Sequence, residues 1–570
     1  RLLAIVQLSD AFNQDLVPRG QPYKLIDGQL EDTARVKVVE AKQLLAERLP
    51  AYMIPSMWLA VEFIPRLQSG KLDRKQTAKW VDDMNEVLYR RLNPVTATGS
   101  PENLEFSNKT ESELHKIWTH VLNLRAEQLG LGQSFLSVGG DSISAMQVMS
   151  ECKKRGLGLA VSQIIACKSI RALALQVKDI DRPSFHLDTL EQPFELSPIQ
   201  KLYFARPNHA QGHYNQSFLL RTSQTILESD MRKAIETIIW RHSMLRARFS
   251  QGATGEWKQR VTNEIVSSYR LRTLTLASSE EVGRSLADSQ TCLEVTNGPL
   301  LGVDLINMNG EEDLLFVVAH HLVIDLVSWR IILQELEELL LRPESVTDAD
   351  RPLPFQVWCK MQLDHAETQT PEQALPIHGI PDGNAEYWGM GDTPNVYGQM
   401  AREGFEIGPQ QTSLLLSKCH ESLRTEIPDV LMAAMIFSFG QTFTDRPIPA
   451  VFAEGHGREP WDASTDLSNV VGWFTTIYPV FAGAEAQSSL VETVKLVKDR
   501  RRKVPDSGRP YFASRWLTEA GDKAFSRHWP LEITFNYLGQ YQQLEREGAL
   551  FTPVSDIAGE VKGATDGADV

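Results

Sequence analysis

Two adjacent histidines followed four residues later by a carboxylate stand out for their chemistry: His320, His321 and Asp325 in "LLFVVAHHLVIDLVSWRIIL". Imidazole titrates near neutral pH, so His321 reads as a general base. Asp325 reads as the cap of the helix that follows or as the partner of a buried arginine, and His320 as a satisfied core histidine. Metal binding is disfavoured. The spacing is not His-Glu-x-x-His, and no further Cys or His lies near, so no metal is expected. A second group is "SFLSVGGDSISAMQVM". Gly139 and Gly140 permit a tight turn, and Asp141 and Ser142 then stand at a helix N-terminus. Ser142 reads as a cap, or as a hydroxyl exposed for modification where the helix N–H groups and dipole favour phosphate.

The elements that must position these groups follow from pattern. Val317 and Val318 belong to a buried strand. From Leu326 a helix turns Ile331, Ile332, Leu336 and Leu339 inward, which leaves the histidines on the strand-to-helix turn. Thr110 with Glu113 has the pattern of a capping box opening a helix, along which Leu114, Ile117, Trp118, Val121 and Leu122 share one face. A second helix is predicted over Ser142–Arg155 with Gly156 as its stop, and a third apolar stretch over Ser169–Val177. From Phe194 onward helical and strand patterns mix, in too long a stretch for one simple core, so two lobes are expected.

Composition sets the outer bounds. The chain has 570 residues, 42% hydrophobic and 23% charged, ample for several cores. Its net charge of -15 argues against nucleic acid and anionic membranes as partners. No apolar run is long enough to span a bilayer, and no basic segment precedes an apolar one at the start. Arg1 stands where a Met would begin a full chain, so a fragment is expected. Cys152, Cys167, Cys292, Cys359 and Cys419 are scattered without a Cys-x-x-Cys pair, as for free thiols in a reducing, cytoplasmic setting.

Several stretches carry a family resemblance. "VGGDSISAMQ" resembles the core of the carrier domains of nonribosomal peptide synthetases, which implies 4'-phosphopantetheine attached to Ser142 by a phosphopantetheinyl transferase. "AYMIPSMW" and "QSGKLDRK" resemble the closing motifs of an adenylation domain's small C-terminal subdomain, and its catalytic lysine carries over to Lys71. A lysine beyond a glycine turn can swing a point charge towards phosphate or carboxylate. His-His-x-x-x-Asp is similar to the signature of the condensation-domain superfamily, whose second histidine carries over to His321. "LSPIQKLYF" and "RHSMLRARF" fit that superfamily generally. "EGHGRE", "VGWFTTIYPV" and "FNYLGQY" resemble its epimerization branch, as does Leu326 where condensation domains usually have Gly. The chain departs from that branch in lacking Arg before "VGWFT", in the sixth motif ("VPDSGRPYF"), and in a tail that stops before the usual last strands.

The resemblance implies a multidomain chain. A small α+β adenylation subdomain (1–92) and a linker (93–108) precede an α-helical four-helix-bundle carrier domain (109–178). After a second linker (179–193) comes a two-lobed α/β epimerization domain like chloramphenicol acetyltransferase (194–570). Its N-lobe would cover about 194–370 and its C-lobe about 380–570, the latter incomplete. The implied reaction inverts the α-carbon of an aminoacyl or peptidyl thioester. His321 and Glu454 would be the acid/base pair, His320 and Asp325 would support them, and Ser328, Asn536, Tyr537 and backbone N–H groups would be enolate donors. A glutamate with a raised pKa suits such a shuttle; read alone, Glu454 is a strand-end carboxylate. Trp329 and Trp473 are expected to pack. The implied partners are an adenylation lobe upstream and a condensation domain downstream. Two alternatives stay open: a condensation enzyme with His321 as base, and a non-catalytic carrier and docking segment. Which amino acid is processed, and which group serves which face, stay open too.

Overall fold

The computed structural model describes residues 3–7, 37 and 57–61, then most of 106–554. The breaks fall at 123, 127–128, 136–137, 139, 141, 168, 180–187, 207–213, 310–312, 344–350, 391–399, 417–422, 460, 462–464, 484–488 and 539–548. The chain divides into two units, 1–106 and 107–570. In the first, β1 (Leu3–Gln7) pairs in parallel with β2 (Met57–Val61). Lys71 and its turn lie outside the described residues, as does nearly all of the expected first linker.

The second unit opens with four helices: α1 (Lys109–Val121), α2 (Ser142–Lys154), α3 (Val161–Ala166) and α4 (Ile170–Ala174). The apolar face of α1 is buried as its spacing requires, and Trp118 meets Phe135 edge-on at 4.9 Å. The start of α1 differs from the expectation. Asn108, not Thr110, is the cap: its side chain accepts from Glu111 N at 2.8 Å, while Glu111 accepts from Ser107 N. Both positions carry cap-forming residues, and the earlier one satisfies two backbone donors at once. α3 is the one helix of the expected four that the pattern of the sequence did not place.

Strand β8 (Asp313–His320) shows why the N-lobe forms as it does. It lies between β3 (Asn215–Thr222) and β7 (Leu301–Asn307), antiparallel to both. β6 (Tyr269–Thr275) continues the sheet alongside β7. Both faces of β8 are covered. Leu314, Phe316 and Val318 pack with Val282 and Leu286 of α7 (Ser279–Gln290). Leu315, Val317 and Ala319 enter the main core with α6 (Glu228–Arg241) and α8 (Leu326–Leu341). A strand buried on both faces reads as a continuous apolar run, which is what "LLFVVA" is.

The C-lobe is built on β9 (Val451–Gly455), antiparallel to β10 (Thr476–Val480) and parallel to β11 (Ile533–Phe535). Arg501 of α11 (Leu490–Arg502) ties this lobe together through Glu426 and Asp429, at and near the start of α10 (Ile427–Thr442). One contiguous core runs through both lobes and includes Trp329, Trp358, Phe474 and Tyr511. The tail corrects the expected lobe division. Phe551–Pro553 (β12) pairs with β3 and so completes the N-lobe sheet, in the order β12-β3-β8-β7-β6. It covers an edge that would otherwise present unpaired backbone groups.

The helical part of this unit meets the C-lobe. Asn469 Nδ2 donates to Ser150 Oγ at 2.7 Å, and Lys153 Nζ lies 3.4 Å from Asp466 Oδ2, both partners on α2. Cys152, Cys167, Cys292 and Cys359 are free thiols, and burial pushes Cys152 up to about 12. No described helix is long and apolar enough to cross a membrane.

Candidate active site

The turn between β8 and α8 fixes the His321 ring from several sides. The backbone N–H of His321 donates to Tyr214 O at 2.8 Å. Its Nδ1 lies 2.7 Å from Ile324 O. A carbonyl only accepts, so Nδ1 carries the hydrogen and Nε2 holds the lone pair of the neutral ring. Nε2 in turn lies 2.9 Å from the side-chain nitrogen of Gln216 on β3. The ring stacks on Tyr214, with centroids 5.1 Å apart at 12°. Trp473 lies against it at 4.4 Å. The Arg206 guanidinium lies over Tyr214 at 5.2 Å. His320 is buried beside it, its Nδ1 accepting from Leu322 N at 3.2 Å.

Asp325 caps α8 by accepting from Ser328 N at 2.7 Å. The same carboxylate receives Arg458 Nη2 at 2.9 and 3.1 Å and Phe474 N at 3.2 Å. Arg458 is fully buried, and its Nη1 donates to Leu467 O and Val470 O at 3.0 and 2.6 Å. Its guanidinium also lies 3.9 Å from the centre of the Phe474 ring. Burial pulls the pKa of Arg458 below its ordinary value, and Asp325 opposes that pull. An ion pair this deep holds because both terminal nitrogens of the guanidinium and both carboxylate oxygens are hydrogen-bonded. The result is a clasp between the His321 turn and the loop that joins β9 to β10.

Ser328 belongs to this clasp. Its hydroxyl donates to Gly472 O at 2.9 Å and accepts from Arg458 Nη2 at 2.8 Å. A hydroxyl has one hydrogen, and in this structure it is directed to Gly472 O. Trp473 follows Gly472 directly, which is how the clasp reaches the His321 ring.

Glu454 is half-buried at the end of β9, opposite Ile477. Four residues on comes Arg458. Gly457 makes that return: its φ is +65°, and a Cβ there would strike the Phe474 carbonyl. Only glycine lets the loop fold back closely enough for Arg458 to reach Asp325. Phe535 is paired with Ala453, so Asn536 continues alongside Glu454. Asn536 is exposed and Tyr537 half-buried. The degenerate stretch Val504–Phe512 still seals the back of the C-lobe sheet, where Thr476 Oγ1 donates to Ser507 O at 2.9 Å.

Comparison with known families fits this arrangement. Residues 191–553 match the family model described as condensation domain. The chain belongs to the condensation-domain family. Residues 112–177 match the phosphopantetheine attachment site, so the chain is a nonribosomal peptide synthetase fragment with a carrier domain and a condensation-superfamily domain. It is 74% identical over its whole length to Nonribosomal peptide synthetase 4 of Gibberella zeae, of which it covers 8%. It is 42% identical, over 98% of its length, to Nonribosomal peptide synthetase 1 of Aspergillus fumigatus, of which it covers 9%. The chain thus spans under a tenth of these curated relatives' length. It is also similar to the epimerization domain from the third module of tyrocidine synthetase B, with 26% identity and a TM-score of 0.58. The likeness covers 68% of this chain and 88% of that one.

The carrier domain's covalent group is 4'-phosphopantetheine, and the residues present suit it. Ser142 is the first residue of α2, and the first turn of that helix holds no carboxylate. Gly140 lies so close on the Phe135 ring that a Cβ would not fit. Free N–H groups at a helix start favour a phosphodiester there. Of the residues singled out in the sequence, the condensation-family fold brings His320, His321, Asp325 and Ser328 into one turn. Glu454 lies on β9, and Asn536 directly follows the neighbouring strand β11, one residue past the Ala453–Phe535 pair. Gln216, Tyr214 and Arg458 were not singled out, and only Arg458 fell within a noticed motif, "EGHGRE".

Proposed function

We propose that this chain inverts the α-carbon, L to D, of an aminoacyl or peptidyl thioester held on its own carrier domain. The observation that carries the reading is the His321 ring. Its Nδ1 hydrogen is fixed on Ile324 O, so Nε2 is the basic nitrogen, in a turn clasped to the loop that follows Glu454. The similarity to an epimerization domain supports it. The pantetheine thiol, attached at Ser142 by a phosphopantetheinyl transferase, would carry the acyl group as a thioester.

A thioester acidifies the adjacent C–H, because the resulting carbanion delocalises onto the carbonyl. His321 and Glu454 would serve as the two acid/base groups, one taking the Cα proton and the other returning one to the opposite face. Asn536, Tyr537 and backbone N–H groups are candidates to bind the enolate oxygen. His320 and Asp325 support His321 as neighbour and as half of the clasp. Residues 1–92 are proposed as the end of an adenylation domain, with Lys71 its catalytic lysine and the large lobe upstream. A condensation domain downstream would accept the inverted residue, in the cytoplasm.

The test is direct. Load Ser142 with aminoacyl- or peptidyl-pantetheine, incubate in D2O, and measure deuterium and chirality at Cα. Exchange is expected in the wild type. It should fall by at least about a hundredfold in His321→Ala and in Glu454→Gln. A folded, loaded chain that exchanges nothing refutes the proposal. If that chain instead joins its acyl group to an added aminoacyl carrier, the domain is a condensation enzyme.

A further inference from the structure

We propose that Gln216 is a positioning residue for His321 that answers both protonation states of the ring: its carboxamide donates to the neutral imidazole and, turned over, accepts from the imidazolium. The proposal rests on His321 being one of the acid/base groups.

With Nδ1–H held by Ile324 O, the neutral ring has only a lone pair at Nε2. The group 2.9 Å away must then be a donor, and it is the amide nitrogen of Gln216. The other end of that amide is unusual. Gln216 Oε1 is buried and has no hydrogen-bond partner among the described residues. Buried carbonyls are nearly always bonded, so an orphan beside an acid/base group calls for a reason. Strand alternation isolates this side chain. Asn215 and Ser217 point to the other face of β3, where both bond Gln290. Gln216 itself is backbone-paired opposite Ala319 and faces the His321 turn.

During turnover the Cα–H bond breaks and its electron pair stays on the substrate carbon, delocalised onto the thioester carbonyl. The proton forms a new N–H bond at Nε2. The ring gains one positive charge and the substrate one negative charge. In the return direction the N–H bond breaks and the proton goes back to carbon. Gln216 yields Nε2 while the Cα–H is present. Once Nε2 bears a hydrogen, the amide nitrogen facing it would set two donors against each other. A half-turn about the last side-chain bond, a soft two-fold torsion, brings Oε1 to Nε2–H instead. No existing bond of Oε1 is lost, and the imidazolium acquires an acceptor.

The experiment is a titration of the His321 ring by histidine-labelled NMR in the full, unloaded chain, with the signal assigned by His321→Gln. The ionisable groups on the surrounding elements are Tyr214 with Arg206 behind it, His320, the Asp325–Arg458 pair, and Glu454 on the strand that leads into the Trp473 loop. All of these remain in the Gln216 variants. Gln216→Leu removes the acceptor and should lower proton affinity at His321 about tenfold, one pH unit at the midpoint. Gln216→Glu keeps the shape, adds an anion, and should raise affinity by at least about tenfold. In the loaded chain, Gln216→Leu should lower kcat for Cα exchange about tenfold with KM nearly unchanged. Midpoints that stay at the wild-type value in both variants overturn the proposal. If Gln216→Leu fails to fold, the near-isosteric Gln216→Glu decides alone. If the wild type shows no Cα exchange, the epimerase reading falls while the titration still decides the role of Gln216.

Discussion

Removing one side of the Asp325–Arg458 clasp should unseat the whole site, and the size of the effect follows from its contacts. Asp325→Ala deletes a carboxylate that receives Ser328 N, Arg458 Nη2 and Phe474 N. It leaves a fully buried guanidinium with carbonyls and a hydroxyl but no anion. Breaking a buried pair from one side costs about 3–5 kcal/mol. The lost helix cap alone is worth about 1 kcal/mol. The two overlap because one carboxylate supplies both, so about 4 kcal/mol is expected. For a cooperative unit of this size that corresponds to a fall in Tm of about 4–5 °C. Arg458→Met should cost less, because Asp325 keeps the Ser328 and Phe474 donors. The double variant Asp325→Ala/Arg458→Met should be more stable than the sum of the two by about 2 kcal/mol or more, since no unpaired charge remains buried. Melts followed by tryptophan fluorescence read this out, because Trp329, Trp358 and Trp473 are all buried in the two lobes. Additive effects within about 0.5 kcal/mol would refute the idea that the pair acts as one unit.

Other outcomes can be checked alongside. Gly457→Ala should destabilise by at least about 1–2 kcal/mol from its left-handed backbone alone, before the collision with Phe474 O, and should lower Tm in the same melts. Lys153→Glu should slow exchange on the carrier-bound thioester no more than about fivefold, because a partly exposed pair is worth under about 1 kcal/mol. Adding Asp466→Lys should restore the rate, and a soluble pantetheine thioester should be unaffected throughout. Glu335 is buried, which raises its pKa, but His242 and Arg241 outweigh that and bring it from 4.5 to about 2. A depressed carboxylate stabilises the fold above its unfolded value and loses that contribution as pH falls from 4.5 towards about 2. Wild-type Tm should therefore drop more steeply across that range than that of Glu335→Gln.

What could be read from the chain was what lies close together along it. The β8 strand, the α8 helix and the turn between them announce themselves within some thirty residues, because "LLFVVA" is apolar on both faces and the helix that follows keeps its own period. Ser142 at a helix start is equally local. Gln216 and His321 lie 105 positions apart, and Arg458 and Asp325 lie 133 apart. No spacing rule in a single sequence joins such residues. The surroundings of Ser328 were hidden for the same reason. Its type fits an enolate donor, but only the fold brings Gly472 O to its hydrogen. At α1 the difficulty was competition rather than distance. Asn108 and Thr110 both suit a cap, and the choice turned on which left fewer backbone donors unmet.

The final strand of the N-lobe imposes an order on how this protein is made. Thr552 bonds back to Arg221 across 331 residues of chain. A ribosome therefore releases every helix and strand of the C-lobe before the N-lobe sheet receives its outermost member. Until then β3 is an open edge in a growing polypeptide, ready to pair with a neighbour. The two lobes must mature together rather than one after the other, and chaperone protection of the half-finished sheet would matter most during that interval.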